Sequence, residues 1–264
     1  MKKVLMCPPQ YFGVFYKINP WMNPSNKVDV SRAIEQWNEL LVVYKDLGIQ
    51  VEQITPIDGL PDMVFAANGF FAIGARAVLS RFRYKERQSE TNYFSNWLEQ
   101  NSFDVVDPGK IVYEGEGDTF LVQDTIYQGW GFRSDPTIAS IFKTAFQDKA
   151  VKLLHLIDDK FYHFDTCFFP VDQNLVYFYE NAFDSDSSKT IRSSFKKAVA
   201  VTREEAMTFS LNSIQYNNTI IMNSHSKKFA ERIRSEGFTV ISVDVSEFMK
   251  SGGSVKCLTN ELYK

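Results

Sequence analysis

Phe161-Tyr162-His163-Phe164-Asp165-Thr166-Cys167-Phe168 is the stretch on which the architecture turns. It is rich in aromatic residues, and its end opens a strand read over 167–170. In an extended chain His163 and Asp165 fall on the same side, two residues apart. An imidazole and a carboxylate converging there suit a general acid/base beside a group that binds a cation. A hydrogen-bonded core histidine is the plain alternative.

Similar runs recur along the 264 residues, at 3–7, 50–55, 63–67, 70–82, 103–106, 119–128, 151–155, 167–170, 174–180, 197–201, 213–222, 238–243 and 255–258. Helical spacing separates them. Ile34, Trp37, Leu40, Leu41 and Tyr44 mark a helix over 30–47 that stops at Gly48. Tyr93, Phe94, Trp97 and Leu98 mark another over 86–100, and 135–146, 203–210, 226–236 and 246–250 follow suit. The Ser/Asp run at 184–194 reads as a capped surface helix. Strands and helices alternate from end to end, so the class is α/β, with residues 1–264 forming one domain. Helix-then-strand modules of roughly 53 residues fit a propeller whose blades each contain a helix. A doubly wound sheet fits the alternation nearly as well.

Composition excludes more than it selects. A net charge of −3 leaves no electrostatic footprint for nucleic acid or an acidic membrane. Cys7, Cys167 and Cys257 cannot make a disulfide framework, and no CxxC pair favours a structural zinc. The four-residue apolar run before Pro8 and Pro9 is too short for a signal peptide. The most apolar stretch, 63–79, is broken by Asn68 and Arg76 and is no membrane span. These features predict a cytoplasmic protein with reduced thiols.

Three other clusters carry chemistry. Glu114-Gly115-Glu116-Gly117-Asp118 concentrates negative potential where backbone can approach closely, as a site for a cation or as a plain acidic turn. Pro61-Asp62-Met63-Val64-Phe65-Ala66-Ala67-Asn68-Gly69 ends in ordinary turn chemistry. Cys257 follows Gly252 and Gly253 and stands next to Lys256; a cation nearby favours the nucleophilic thiolate, whereas a small buried residue is the plain reading. Arg81, Arg83, Arg87 and Arg133 supply planar forks that suit a carboxylate, or an ordinary surface. His155 and His225 read as structural or solvated, and Cys7 and Cys167 as packing residues.

Taken in order, Asp62 to Asn68, Glu114 to Asp118, His163-Phe164-Asp165 and Cys257 resemble the guanidine-modifying enzymes of the pentein superfamily, which include arginine deiminases, dimethylarginine hydrolases and amidinotransferases. The resemblance spans essentially the whole chain. It implies a five-bladed α/β propeller with pseudo-fivefold symmetry and an active site on the central axis.

A closer resemblance is to the arginine dihydrolases of cyanobacteria, which also form the N-terminal part of a larger bifunctional protein. Ile18-Asn19-Pro20-Trp21-Met22, Phe65-Ala66-Ala67-Asn68 and Gly252-Gly253-Ser254-Val255-Lys256-Cys257-Leu258 carry it, with the His163 stretch. It implies conversion of arginine to ornithine, carbon dioxide and two ammonia molecules, without cofactor or metal. By this likeness Cys257 is the nucleophile and His163 the acid/base, while Glu114 and Asp165 grip the guanidinium. Arg87 and Arg133 hold the substrate carboxylate, and Asn19, Asp62, Phe65 and Asn68 complete the pocket. Glu116 departs from the pattern of the cyanobacterial relatives, which implies a small residue there.

Asn68 stands where deiminases and dimethylarginine hydrolases carry an aspartate. An amide donates as well as accepts, and so suits both arginine and neutral citrulline. The resemblance also allows a deiminase or dimethylarginine hydrolase that stops at citrulline. From another class, it allows a protein that binds arginine or a partner without turnover. The partner it implies is a small molecule, not nucleic acid or membrane, and a homo-oligomer is compatible with it.

Overall fold

The computed structural model describes residues 2–263. Their strands form five separate three-stranded sheets. Blade 1 joins Asn260–Leu262, Lys3–Met6 and Gln50–Gln53. Blade 2 comprises Phe70–Ile73, Arg76–Leu79 and Asp104–Val106. Blade 3 comprises Thr119–Val122, Thr125–Trp130 and Ala150–His155. Blade 4 holds Phe168–Pro170, Leu175–Phe178 and Lys197–Ala200, and blade 5 holds Ile214–Tyr216, Thr219–Asn223 and Thr239–Val243.

Every blade has the same connectivity. The first strand pairs antiparallel with the second, and the second pairs parallel with the third. A parallel pair needs a crossover long enough to return the chain, and a helix supplies it. These helices are Val30–Asp46, Glu90–Gln100, Ile138–Ala145, Ser185–Ser194 and Lys227–Ser235. Contacts between neighbours close the ring: Ile73 bridges to Tyr263, Arg81 to Tyr113 and Leu156 to Phe183. Asn212 joins blade 5 to blade 4 through its bond to the Asp165 carbonyl, and to blade 1 through the N–H of Lys256. The periodicity that suited two architectures belongs to the α/β propeller.

The helices bury the faces their spacing predicts. Trp37, Leu40 and Tyr44 of the first pack with Ile214, Ile221 and Val243, sealing blade 1 to blade 5. Asp29 caps that helix by accepting from the Arg32 N–H, and Gly48, at φ +74°, ends it. Asp184 caps the Ser185 helix in the same way, as its Ser/Asp composition predicts.

Other expectations fail in an instructive way. Residues 63–67 and 255–258 are not strands. Pro61–Val64 and Ala66–Asn68 are short 3₁₀ turns, and the 255–258 stretch closes with the Thr259 N–H on the Lys256 carbonyl. A short apolar run is buried in either conformation, so its hydrophobicity does not distinguish them. The 70–82 run is a hairpin folded at Gly74, whose φ of +62° suits glycine. The 86–100 helix breaks at Ser89 into Lys85–Gln88 and Glu90–Gln100. Among the described residues no helix is long and apolar enough to cross a membrane.

Candidate active site

The turns that lead into the first strands build the site. In four of them the residue before the strand donates its N–H to the carbonyl three positions back: Gly69 to Ala66, Asp118 to Gly115, Cys167 to Phe164 and Thr259 to Lys256. That shared register makes Phe65, Glu114, His163 and Val255 equivalent, and likewise Ala67, Glu116, Asp165 and Cys257. The repeat is invisible in residue identity and plain in the backbone. Because 3₁₀ helices at 66–68, 115–117 and 164–166 touch in succession, their side chains converge. His163 keeps an extended backbone, but Asp165 lies within a 3₁₀ turn rather than along a strand.

Cys257 and Asp165 meet directly, Sγ to Oδ2 at 3.2 Å. The Nε2 of His163 lies 2.8 Å from Oε2 of Glu114. That oxygen also accepts from Nη1 of Arg133 at 2.8 Å, and Oε1 accepts from the Arg83 N–H. All four functional side chains are at most 2% exposed. Eight of the ten predicted site residues line one cavity: Asn19, Asp62, Phe65, Asn68, Arg87, Arg133, His163 and Cys257. The remaining two, Glu114 and Asp165, are the hydrogen-bond partners of His163 and Cys257. The cavity holds about 10 Å³, room for roughly one water molecule. A larger cavity of about 210 Å³, beside Lys2, Gln215 and Glu261, contains none of these residues.

The site is covered by residues 18–22. Asn19 stitches this segment down: its Nδ2 donates to the Ser251 carbonyl, and its Oδ1 accepts from the N–H groups of Trp21 and Met22. Arg133 donates to the Ile18 carbonyl at 2.9 Å and lies between the Tyr84 and Tyr162 rings. Both arginines expected at a substrate carboxylate therefore have protein partners. Arg87 grips Glu90 with Nε and Nη2 and also donates to the Asp62 carbonyl. Asp62 accepts from Tyr16 and Ser251.

The Arg87 contact to Asn68 decides which way that amide faces. A guanidinium only donates, so the 2.8 Å bond from Nη1 fixes Oδ1 toward Arg87. Nδ2 is thereby turned away, buried and without a partner. Gly117 makes room for it: a Cβ there would fall 2.2 Å from Nδ2.

Electrostatics follow from burial and partners. Burial pushes the Cys257 thiol well above its ordinary range, and Asp165 pushes it further. Burial also raises Asp165 to about 7. His163 falls to about 4 because burial disfavours its cation more than Glu114 supports it. Burial opposes ionisation of Glu114, but Arg133 and His163 outweigh it and hold the carboxyl far below the usual range. At neutral pH the set is a thiol, a neutral imidazole, an ionised Glu114 and a titrating Asp165.

Glu116 does not face the cavity residues. It reaches across the axis to Lys256, whose Nζ lies 2.5 Å away, and it accepts from the Glu261 N–H. Lys256 therefore points away from the thiol it adjoins in sequence. Arg81 pairs with Asp107 at the surface, and His155 stacks on Trp130. Among the described residues no three His, Cys, Asp or Glu side chains are grouped to hold a metal ion. Sequence reasoning missed Asn212, which contacts Cys257 twice. It missed Glu90 as well, the buried partner of Arg87.

Comparison with known proteins bears on the family and the fold. A family model described as eukaryotic N,N dimethylarginine dimethylhydrolase matches residues 15–264. The bifunctional arginine dihydrolase/ornithine cyclodeaminase ArgZ of Synechocystis is 40% identical over 97% of this chain. The chain spans 37% of that relative's length. The N(G),N(G)-dimethylarginine dimethylaminohydrolase of Mycobacterium tuberculosis is 37% identical over 99% of this chain and 86% of its own. The crystal structure of the ArgZ N-terminal domain bound to product superposes with a TM-score of 0.94 at 37% identity, covering 100% of this chain and 98% of that one. With 250 of its residues inside the family match and the five-bladed pentein architecture in place, the chain belongs to the N,N-dimethylarginine dimethylhydrolase family, hydrolases of guanidino C–N bonds.

Proposed function

We propose that this protein is an arginine dihydrolase, taking L-arginine and two waters to L-ornithine, carbon dioxide and two ammonia molecules. The observation that carries this reading is the amide of Asn68, a residue of the cavity wall, held by Arg87 with its Nδ2 buried and unpartnered. A guanidinium carries only donors and gains nothing from a facing N–H. The ureido oxygen of citrulline accepts one. A site that satisfies this orphan donor only after the first hydrolysis retains citrulline for the second.

Substrate enters when residues 18–22 lift and Arg133 exchanges the Ile18 carbonyl for the substrate carboxylate, with Arg87 behind it holding Asn68. The guanidinium lies against Asp165. The Cys257 thiol gives its proton to the neutral imidazole of His163, and the thiolate attacks the guanidinium carbon. The imidazolium returns the proton to the departing nitrogen, so ammonia leaves and a thiouronium remains. His163 then takes a proton from the attacking water, and C–S cleavage gives citrulline. Because Nε2 faces Glu114, Nδ1 is the exchanging nitrogen, and Glu114 stabilises the transient cation. In the second round ammonia leaves the ureido carbon to give a thiocarbamate. Its hydrolysis yields a carbamate that loses carbon dioxide, leaving ornithine.

Relatives support this chemistry. One crystal structure of the ArgZ N-terminal domain, an asparagine-to-serine variant, is covalently bonded to a reaction intermediate. Another, a cysteine-to-serine variant, is bound to substrate. The family model and the M. tuberculosis relative favour a second reading, hydrolysis of dimethylarginine to citrulline and dimethylamine.

Product stoichiometry separates them. A dihydrolase supplied with arginine yields ornithine with two equivalents of ammonia. Citrulline accumulating one-to-one with ammonia overturns the proposal in favour of a deiminase, and turnover of dimethylarginine alone overturns it in favour of the second reading.

A further inference from the structure

Asn212 occupies a turn of its own, before the first strand of blade 5, and touches the reacting sulfur. Its Nδ2 lies 3.1 Å from Sγ of Cys257 and 3.2 Å from the carbonyl of Asp165. Its Oδ1 accepts the backbone N–H of Cys257 at 3.1 Å, and its own carbonyl accepts from the Lys256 N–H. The side chain is fully buried. One residue thus links the blades that carry Cys257 and Asp165, and every polar atom of its amide is used.

We propose that Asn212 is a catalytic residue that donates a hydrogen bond to the Cys257 thiolate while clamping the backbone of the same cysteine. The amide orientation is forced, because the Cys257 N–H requires the oxygen and leaves both amide hydrogens for Sγ and the Asp165 carbonyl. The titratable and charged groups that share the sulfur's surroundings are Asp165 at 3.2 Å and, around the cavity, Asp62, Arg87, Arg133, Tyr162 and His163. Asp165 opposes ionisation when it is itself charged, and burial opposes it throughout. Two neutral donors favour the ionised sulfur, the backbone N–H of Ser254 and the amide of Asn212, which is the one side chain of the pair, and a hydrogen bond to a charged group is stronger than one to its neutral form. When the S–H bond breaks, the electron pair stays on sulfur facing Nδ2. The proton goes to His163 during turnover, or to solvent in the free enzyme.

The inference rests on Cys257 being the nucleophile, and the test separates the two. Iodoacetamide forms an S–C bond at the thiolate and releases iodide, so its rate at Cys257, located by peptide mass, follows the ionised fraction. In the parent protein, alkylation at Cys257 with parallel loss of activity is expected; full activity after complete alkylation there overturns the nucleophile assignment itself. Given that, Asn212→Ala should slow alkylation at neutral pH about tenfold and move its pH midpoint upward. The kcat should fall by at least as much, with KM for arginine little changed, because Asn212 does not line the cavity. Asn212→Asp keeps the acceptor for the Cys257 N–H and removes the donor, so it should slow alkylation even if the alanine variant folds poorly. A purely structural Asn212 would lower the melting temperature and leave the alkylation midpoint unmoved in both variants, and that result overturns the proposal.

Discussion

Lys256 and Glu116 meet 2.5 Å apart across the propeller axis, with neither side chain exposed to solvent. The pair is extended by Glu261, 3.4 Å from the same ammonium, and Glu261 is paired in turn with Lys2. The charge at the core is thus balanced by members of different blades. Removing one member leaves a carboxylate in a medium that cannot solvate it.

Lys256→Met should therefore destabilise the fold by about 3–5 kcal/mol, the penalty typical of a broken buried pair. Urea unfolding followed by circular dichroism measures it. Burial opposes ionisation of Glu116, and Lys256 keeps Glu261 as a partner when Glu116 is replaced, so Glu116→Gln should be far milder. Equal losses in the two variants would contradict this account of the axis.

Asn68→Asp should stall the enzyme at citrulline. The carboxylate offers the cavity an acceptor, which strengthens the hold on the guanidinium and removes the donor that keeps the urea. Arginine consumption should continue while ornithine formation falls at least about tenfold, the worth of one hydrogen bond in a closed site. Chromatography of products over time decides it; unchanged ornithine formation removes Asn68 from the second step.

Gly117→Ala tests the same amide from behind. The new Cβ would lie 2.2 Å from Nδ2 of Asn68 and 3.3 Å from His163, so the amide must swing or the turn must shift. Overpacking of this kind costs about 1–3 kcal/mol. The expected signature is a modest fall in stability with a disproportionate loss of ornithine relative to citrulline. Loss of stability with an unchanged product ratio would speak against the amide's orientation as the cause.

Asp165 supplies a pH signature. Burial raises its carboxyl from the usual carboxylate range to about 7. In the unfolded chain the group ionises near pH 4, so between there and 7 the folded state binds the extra proton. Its stabilising contribution is complete below pH ~4 and is lost as the pH rises through 7. The stability difference between the parent protein and Asp165→Asn should decline over that window. Denaturation midpoints measured every half pH unit would reveal it, and a flat difference would mean that Asp165 is ionised throughout.

Much of this site was legible because its chemistry lies in residue types that turns rarely need together: Glu114, His163, Asp165 and Cys257, in order. Their secondary structure was less legible. Residues 63–67, and Val255, Cys257 and Leu258, are apolar because they are buried, and burial leaves the same trace on a strand as on a tight turn. Asn212 was hidden for a different reason. It stands among Phe209, Ser210, Leu211 and Ser213 with no glycine or charged group to flag it. Its importance comes from two partners more than 40 residues away, Asp165 and Cys257. Glu90 likewise looks like an ordinary acid at a helix start until Arg87 folds onto it.

Blade 1 takes its central strand from the beginning of the chain and its first strand from residues 260–262, pairing Lys3 with Leu262. Loop-closure entropy makes this contact, spanning nearly the whole sequence, the slowest kind to form. Cys257 rides on the turn that feeds this strand, between Asn212 on one side and the N–H of Ala67 on the other. A chain with four finished blades already holds Glu114, His163, Asp165 and Asn212, yet its sulfur is still loose. By the proposed mechanism the attacking atom is delivered by the step that completes the ring, so the onset of activity in refolding should coincide with final closure and lag behind the gain of helical circular dichroism.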